Sequence, residues 1–242
     1  MVLVIDFGNT QVKTAVFERD SLIEKSVISY NDCFAAIKMI LQKFQKITNI
    51  AVASVKSDTI IDFSQLAKIR NCVFINRECK FPFNNLYKTP ETLGIDRMVL
   101  AAGAVFKYPK KNRLVIDAGT CITYDFIDEN DNYLGGAISP GLQLRYKSLH
   151  QQTSKLPMLS LQMPQTTIGS TTAEAIHSGI VNGVVHEING FIESFKKNNA
   201  NFIIILTGGD TIFLANQLKN TIFANSNFLL ESLNQTFQYN QK

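Results

Sequence analysis

Two aspartates in this chain each end an apolar run and precede a glycine: Asp6 in Leu3-Val4-Ile5-Asp6-Phe7-Gly8, and Asp117 in Leu114-Val115-Ile116-Asp117-Ala118-Gly119. The copies lie 117 − 6 = 111 residues apart, and each closes on a threonine, Thr10 and Thr120. A glycine turn lets the backbone approach phosphate oxygens, and the threonine hydroxyl and neighbouring N–H groups can donate to them. A carboxylate beside a phosphate is repulsive unless it holds a cation or that cation's water shell. One such turn is ordinary, since Asp and Gly favour turns. The repeat makes the pair a candidate device for one nucleotide held by two lobes. A third pair, Asp96-Arg97, opens an apolar stretch and offers a proton acceptor beside a guanidinium for an acidic substrate.

Each apolar run reads as a strand buried on both faces, with the aspartate at its carboxyl end. A second strand follows each turn at once, Gln11 to Glu18 and Cys121 to Asp128. The first half continues with a strand from Leu22 to Ser29, a helix capped by Asn31 or Asp32 and running to about Lys46, a strand Ile50 to Val55, a helix Ile60 to Ile69 and a strand Asn71 to Ile75. The second half repeats three strands, near 113–118, 121–127 and 132–138. A helix after Pro140, a long helix Thr172 to Phe195, a strand Phe202 to Leu206 and helices Thr211 to Leu218 and Asn227 to Phe237 follow. The division predicted is 1–108 and 109–242, with the solvated run Lys107 to Arg113 at the boundary.

The 242 residues suffice for two small domains. A net charge of +4, with no basic stripe interleaved with aromatics, argues for a small anionic partner and against nucleic acid. No secretory leader and no membrane-length apolar run is read, so a cytoplasmic protein without a membrane partner is expected. Cys33, Cys72, Cys79 and Cys121 lack zinc-ligand spacing and read as reduced thiols. His150, His177 and His186 sit in no nucleophile motif. Walker A and G-x-G-x-x-G sequences are absent, and Thr207-Gly208-Gly209-Asp210, after a buried strand, offers backbone N–H groups to an adenosine or ribose.

The paired hairpins resemble those of the actin-like ATPase superfamily, which includes sugar and acetate kinases. That resemblance implies an α/β fold of two ribonuclease-H-like domains with the active site in the cleft between them. Within it the chain is similar throughout to the type III pantothenate kinases. The motifs are Asp6-Phe7-Gly8-Asn9-Thr10 with Lys13, Gly94-Ile95-Asp96-Arg97, Asp117 to Thr120 continuing to Thr123 and Asp125, Gly135-Gly136 to Pro140-Gly141, Thr172-Ala173-Glu174-Ala175 with Ser178-Gly179, and Thr207-Gly208-Gly209.

The resemblance implies transfer of phosphate from ATP to pantothenate, the first step of coenzyme A synthesis. It places ATP along Asp6, Phe7, Gly8, Asn9, Thr10, Gln11, Val12 and Lys13 and on Thr120. Asp96 becomes the proton acceptor, and Tyr87, Gly94, Ile95, Asp96, Arg97 and Thr172 line the pantothenate pocket. Asp117 would hold a monovalent cation, potassium or ammonium, and Asp6 would help place magnesium. A homodimer is also implied, and the long helix supports it: Ala175, Ile176, Ile180, Val184, Ile188, Phe191 and Ile192 exceed what one face of a small lobe readily buries. Two departures from relatives are noted, Cys121 for the usual alanine and Glu231-Ser232 near the end. Leu142 to Leu161, with Arg145 and Lys147, carries no assignable motif. The alternatives are a kinase of the same fold acting on another small acid or sugar, and a non-enzymatic nucleotide-binding accessory factor.

Overall fold

The run Val2–Phe7 forms β1, and all but its first residue are buried, as a strand covered on both faces requires. The structure is a computed structural model describing residues 1–54, 70–197, 199, 202–218 and 222–241. The helix expected over Ile60 to Ile69 lies outside the described residues. β2 (Val12–Glu18) returns antiparallel to β1, and β3 (Ser21–Ile28) pairs with β2 at an edge where exposure alternates. α1 (Cys33–Lys43) crosses to β4 (Asn49–Ser54), which lies parallel to β1, and β5 (Asn71–Phe74) extends the sheet in the order β3-β2-β1-β4-β5. α1 stops three residues short of Lys46 because Phe44 leaves the helical region at φ −113° and ψ 72°. Leu3, Ile5, Phe7, Val16, Ile50 and Val52 pack with Ile37 and Leu41 of α1.

The short β6 (Asn84–Asn85) pairs with Asn132 and Tyr133, and a 3-10 turn at Pro90–Thr92 leads into α2 (Ile95–Lys107). The contacts divide the chain differently from a cut at 108. The first unit holds Met1–Pro109, Asp131–Tyr133 and the terminal segment Asn227–Lys242. The terminal segment joins the first unit for an apolar reason. α6 (Phe228–Asn240) buries Phe228, Leu229, Leu230, Leu233 and Phe237, packs on α2 and touches β1, β2 and β4. Phe106 and Tyr239 meet with ring centroids 5.4 Å apart, and Asn234 donates to the Arg19 carbonyl at 2.8 Å. The unusual Ser232 is fully buried and donates to the Phe228 carbonyl at 2.6 Å, so its hydroxyl is satisfied within the helix.

The second unit, Lys110–Asn130 with Leu134–Ser226, repeats the opening. β7 (Asn112–Ala118) and β8 (Cys121–Ile127) form its antiparallel hairpin, and β9 (Asn132–Pro140) follows. β10 (Phe202–Thr207) lies parallel to β7, and β11 (Phe223–Ala224) parallel to β10, giving the order β11-β10-β7-β8-β9. α3 (Leu142–Gln152) and α4 (Thr172–Lys196) pack on one sheet face, and α5 (Thr211–Ala215) follows β10. Leu114, Ile116, Ile122, Tyr124, Ile204 and Leu206 meet Ile176, Ile180, Val184, Ile188 and Ile192 there.

That packing corrects the reading of α4. Val184, Ile188 and Ile192 are completely buried inside their own unit, so the apolar stripe does not exceed what the lobe covers. The outward side carries Ala175, Gly179 and Gly190, all exposed, with Gly183 half-buried.

Candidate functional site

The first turn spans residues 8 to 11, between the ladder pair Phe7↔Val12. The Gly8 N–H donates to the Gln11 carbonyl at 3.2 Å, and the Tyr30 hydroxyl donates to the Gly8 carbonyl. Asn9, Thr10 and Gln11 form the exposed tip, while Phe7 and Val12 are buried anchors beneath it. Asp6 is 3% exposed and stands directly opposite the half-buried Lys13. Burial, the Asp6 charge and Cys33 push the Tyr30 phenol above its ordinary range, so it remains a donor.

The second turn is tighter, spanning residues 119 to 121 inside the pair Ala118↔Ile122. The Gly119 N–H donates to the Cys121 carbonyl at 2.9 Å, and the Thr120 carbonyl accepts from the Gly141 N–H at 3.0 Å. Asp117 stands opposite Thr123 on β8 and beside Thr207 on β10, so the three side chains share one sheet face. The Thr207-Gly208-Gly209-Asp210 turn closes over this point. Gly208 adopts φ +98°, and a Cβ there would overlap the Ala118 carbonyl and the Asp117 carboxylate, so glycine is required on both counts. The Asp210 N–H donates to the Ala118 carbonyl at 3.0 Å, and burial raises the Asp210 carboxyl above its usual range. Gly209 is exposed, with open space at its α-carbon.

The Asp-Arg pair belongs to the first unit. Gly94 caps α2 in an extended conformation, and the Asp96 carboxylate folds back over the helix start, accepting from the Arg97 N–H at 2.8 Å. A Cβ on Gly94 would overlap that carboxylate, which explains the glycine two residues before the acid. Arg97 is 6% exposed, and its guanidinium lies 5.8 Å from the Tyr87 ring centroid, in range for a cation–π contact. Ile95 is buried beside it. Tyr87 rests against Tyr133 with centroids 6.1 Å apart. Arg77 donates from Nε and Nη2 to the Leu93 carbonyl, at 3.1 and 2.9 Å, and so fixes the backbone just ahead of Gly94.

Thr172 starts α4, exposed, behind a capping box: the Thr171 side chain accepts from the Glu174 N–H at 3.2 Å, and Glu174 accepts from Thr171 and Ser170. Glu174, one of the motif residues, thus serves as a cap. Thr172 borders an open groove of about 940 Å³ lined also by Pro140, Arg145, Leu149, Ile176 and Ile180.

Asp6 to Lys13, Tyr87 and Gly94 to Arg97 therefore sit on the first unit, and Asp117, Thr120 and Thr172 on the second. Tyr87 is brought onto Arg97, and Asp117 onto Thr123 and Thr207. Arg77 and Glu187 go unread in the sequence, which names Arg145 and Asp210 but gives their side chains no role. Arg77 and Glu187 lie in no recognisable motif, and Asp210 was hidden as an ordinary residue after a Gly-Gly turn.

Solved structures share this architecture. A Baf family protein from Campylobacter jejuni superposes with a TM-score of 0.63 at 23% identity, covering 99% of this chain and 98% of that one. A ROK family protein from Streptococcus pneumoniae, solved with sucrose, gives 0.53 at 12% identity, covering 99% of each chain. At those identities the likeness concerns the fold alone. The pattern described as "Type III pantothenate kinase" matches residues 2–194, and the Flavobacterium johnsoniae protein of that name is 60% identical over 239 residues, covering 99% of this chain and 98% of its own. The chain belongs to the type III pantothenate kinase family.

Proposed function

We propose that the protein transfers the terminal phosphate of ATP to the primary hydroxyl of pantothenate, giving 4'-phosphopantothenate for coenzyme A synthesis. The observation that carries this reading is the Asp96 carboxylate seated over the start of α2, in space that Gly94 leaves for it. Phosphoryl transfer asks mainly for alignment and charge stabilisation, because its transition state is loose. Asp96 accepts the hydroxyl proton as the new oxygen–phosphorus bond forms and ADP leaves. Arg97 pairs with the substrate carboxylate, with Tyr87, Gly94, Ile95 and Thr172 around the pantoyl chain. Asp6 to Lys13 and Thr120 take the phosphates.

The donor set around Asp117 suits a hard cation. Thr123 and Thr207 contribute buried hydroxyl oxygens that lack a hydrogen-bond partner among the described residues, and they flank Asp117 on adjacent strands. Asp117, Thr123 and Thr207 would hold potassium or ammonium. Asp6, whose carboxylate reaches back over Gly8, offers an oxygen to the magnesium that accompanies ATP. Bound there, such ions would supply positive charge against the phosphate oxygens.

The groove between α3 and α4, edged by Thr172 and by the small outward residues Ala175 and Gly179, supports a homodimer in which a second copy completes the substrate pocket. Among the described residues no helix is long and apolar enough to cross a membrane. The test is a substrate panel of pantothenate, hexoses and short hydroxy acids with ATP, with and without potassium or ammonium. Turnover restricted to pantothenate supports the reading, and turnover of a sugar instead overturns it.

A further inference from the structure

The segment without a sequence motif contains Arg145, and its side chain does two things at once. Its Nε donates to the Pro140 carbonyl at 2.8 Å, and its Nη2 meets Oε2 of Glu187 at 2.5 Å. Glu187 projects from the middle of α4, and its other oxygen accepts from the Tyr124 hydroxyl of β8 at 2.9 Å and from the Ser139 hydroxyl of β9 at 2.5 Å. Donors from β8, β9 and α3 thus converge on one carboxylate, three-quarters buried. Only the ionised form accepts all of them, since a protonated carboxyl must donate at one oxygen. Burial by itself would push Glu187 up, but the bonds from Ser139, Arg145 and Tyr124, with the Arg145 charge, leave it below the usual range. Burial and the Glu187 partner push the Tyr124 phenol far above its ordinary range, which keeps it a donor.

What these groups hold is the segment Ser139-Pro140-Gly141, which leads from β9 into α3. Gly141 lies flush on the second phosphate turn: its N–H donates to the Thr120 carbonyl at 3.0 Å, and a Cβ on it would overlap the carbonyl oxygens of Gly119 and Thr120. The Gly141 carbonyl accepts from the Arg145 N–H at 3.0 Å. A displacement of Ser139 or Pro140 would therefore pass directly into the Thr120 peptide.

We propose that Glu187 is a positioning residue for nucleotide binding: through Arg145, Ser139 and Tyr124 it presses Gly141 against the Gly119-Thr120 turn and sets the orientation in which Thr120 meets a phosphate. This rests on the assignment of Thr120 to ATP. A carboxylate that merely stabilised the packing of α3 on α4 would affect folding and leave nucleotide affinity alone.

The experiment titrates ATP into the parent, Glu187→Ala, Glu187→Gln and Tyr124→Phe by calorimetry, and measures KM for ATP and for pantothenate together with Tm. Loss of a hydrogen bond to a charged group corresponds to about a tenfold change. ATP affinity should weaken by about that factor in Glu187→Ala, less in Glu187→Gln, which keeps its acceptor oxygen, with pantothenate KM within about twofold of the parent. Unchanged ATP affinity in a folded Glu187→Ala overturns the proposal, as does an equal loss for both substrates. Should Glu187→Ala fail to fold, Tyr124→Phe decides by the same criteria. A parent that binds ATP but leaves pantothenate unphosphorylated defeats the proposed activity and leaves this test readable in the titration. A parent that fails to bind ATP defeats both.

Discussion

Asp6 and Lys13 stand directly opposite each other across β1 and β2, whereas the residue opposite Asp117 across β7 and β8 is Thr123. The two turns proposed to hold phosphate are therefore unequal. The first has a cation of its own beside its acid, and the second has neutral hydroxyls beside its acid. In the proposed reading, Lys13 would add a covalent charge beside magnesium at the first turn, and a recruited monovalent ion would supply the charge at the second. Lys13→Met should weaken ATP binding while activation by potassium or ammonium persists, and Asp117→Ala should abolish that activation. Cation-dependent rates of both variants check this, and an Asp117→Ala protein that responds to potassium as the parent does would refute the assignment.

Gly94→Ala inserts a methyl group where the Asp96 carboxylate now lies. The expected result is a fall in kcat of about 10²-fold, of the order seen when a general base is misplaced, with ATP affinity retained. Steady-state kinetics on a variant with parental Tm provides the check, and unchanged kcat would show that the carboxylate does its work from another position.

For the dimer, the informative substitution is on the outward side of α4. Val184 is fully buried in its own unit, so Val184→Asp would cost folding rather than assembly. Ala175→Arg places a charge on an exposed position of the groove lining. It should yield a folded monomer by sedimentation, with pantothenate turnover lost; a folded, fully active monomer would remove the second copy from the site.

Glu187 also makes a prediction about acid stability. Its carboxyl is lowered in the folded state, so its stabilisation is complete above the unfolded value of about 4.3 and is lost as pH falls through the folded value. The difference in Tm between parent and Glu187→Gln should be full at neutral pH and shrink below about pH 4.3. A difference independent of pH would mean that the charge is not what stabilises the site.

Hydrophobic pattern made the paired hairpins legible, because the apolar runs Val2 to Ile5 and Leu114 to Ile116, each followed by Asp, lie in the buried strands Val2–Phe7 and Asn112–Ala118. Pattern could not say where α6 packs, since its apolar face fits either unit until Tyr239 is seen on Phe106. Periodicity likewise showed that α4 is apolar, but not which neighbour covers it; Leu114, Tyr124 and Leu206 do. Arg77 and Glu187 were invisible for another reason. Each acts through a contact far away in sequence, Arg77 on the Leu93 carbonyl and Glu187 on Tyr124, and no local spacing encodes such pairs.

Phosphorylation of pantothenate by this chain, with Asp96 as proton acceptor, is the reaction we propose. The most direct measurement compares 4'-phosphopantothenate formation by the parent and by Asp96→Asn, with ATP binding followed in parallel. The expected result is product from the parent, a loss of about 10²- to 10⁴-fold in the variant, and the same ATP affinity in both. Near-parental turnover by Asp96→Asn, or a parent that binds ATP yet forms no phosphopantothenate, would contradict it.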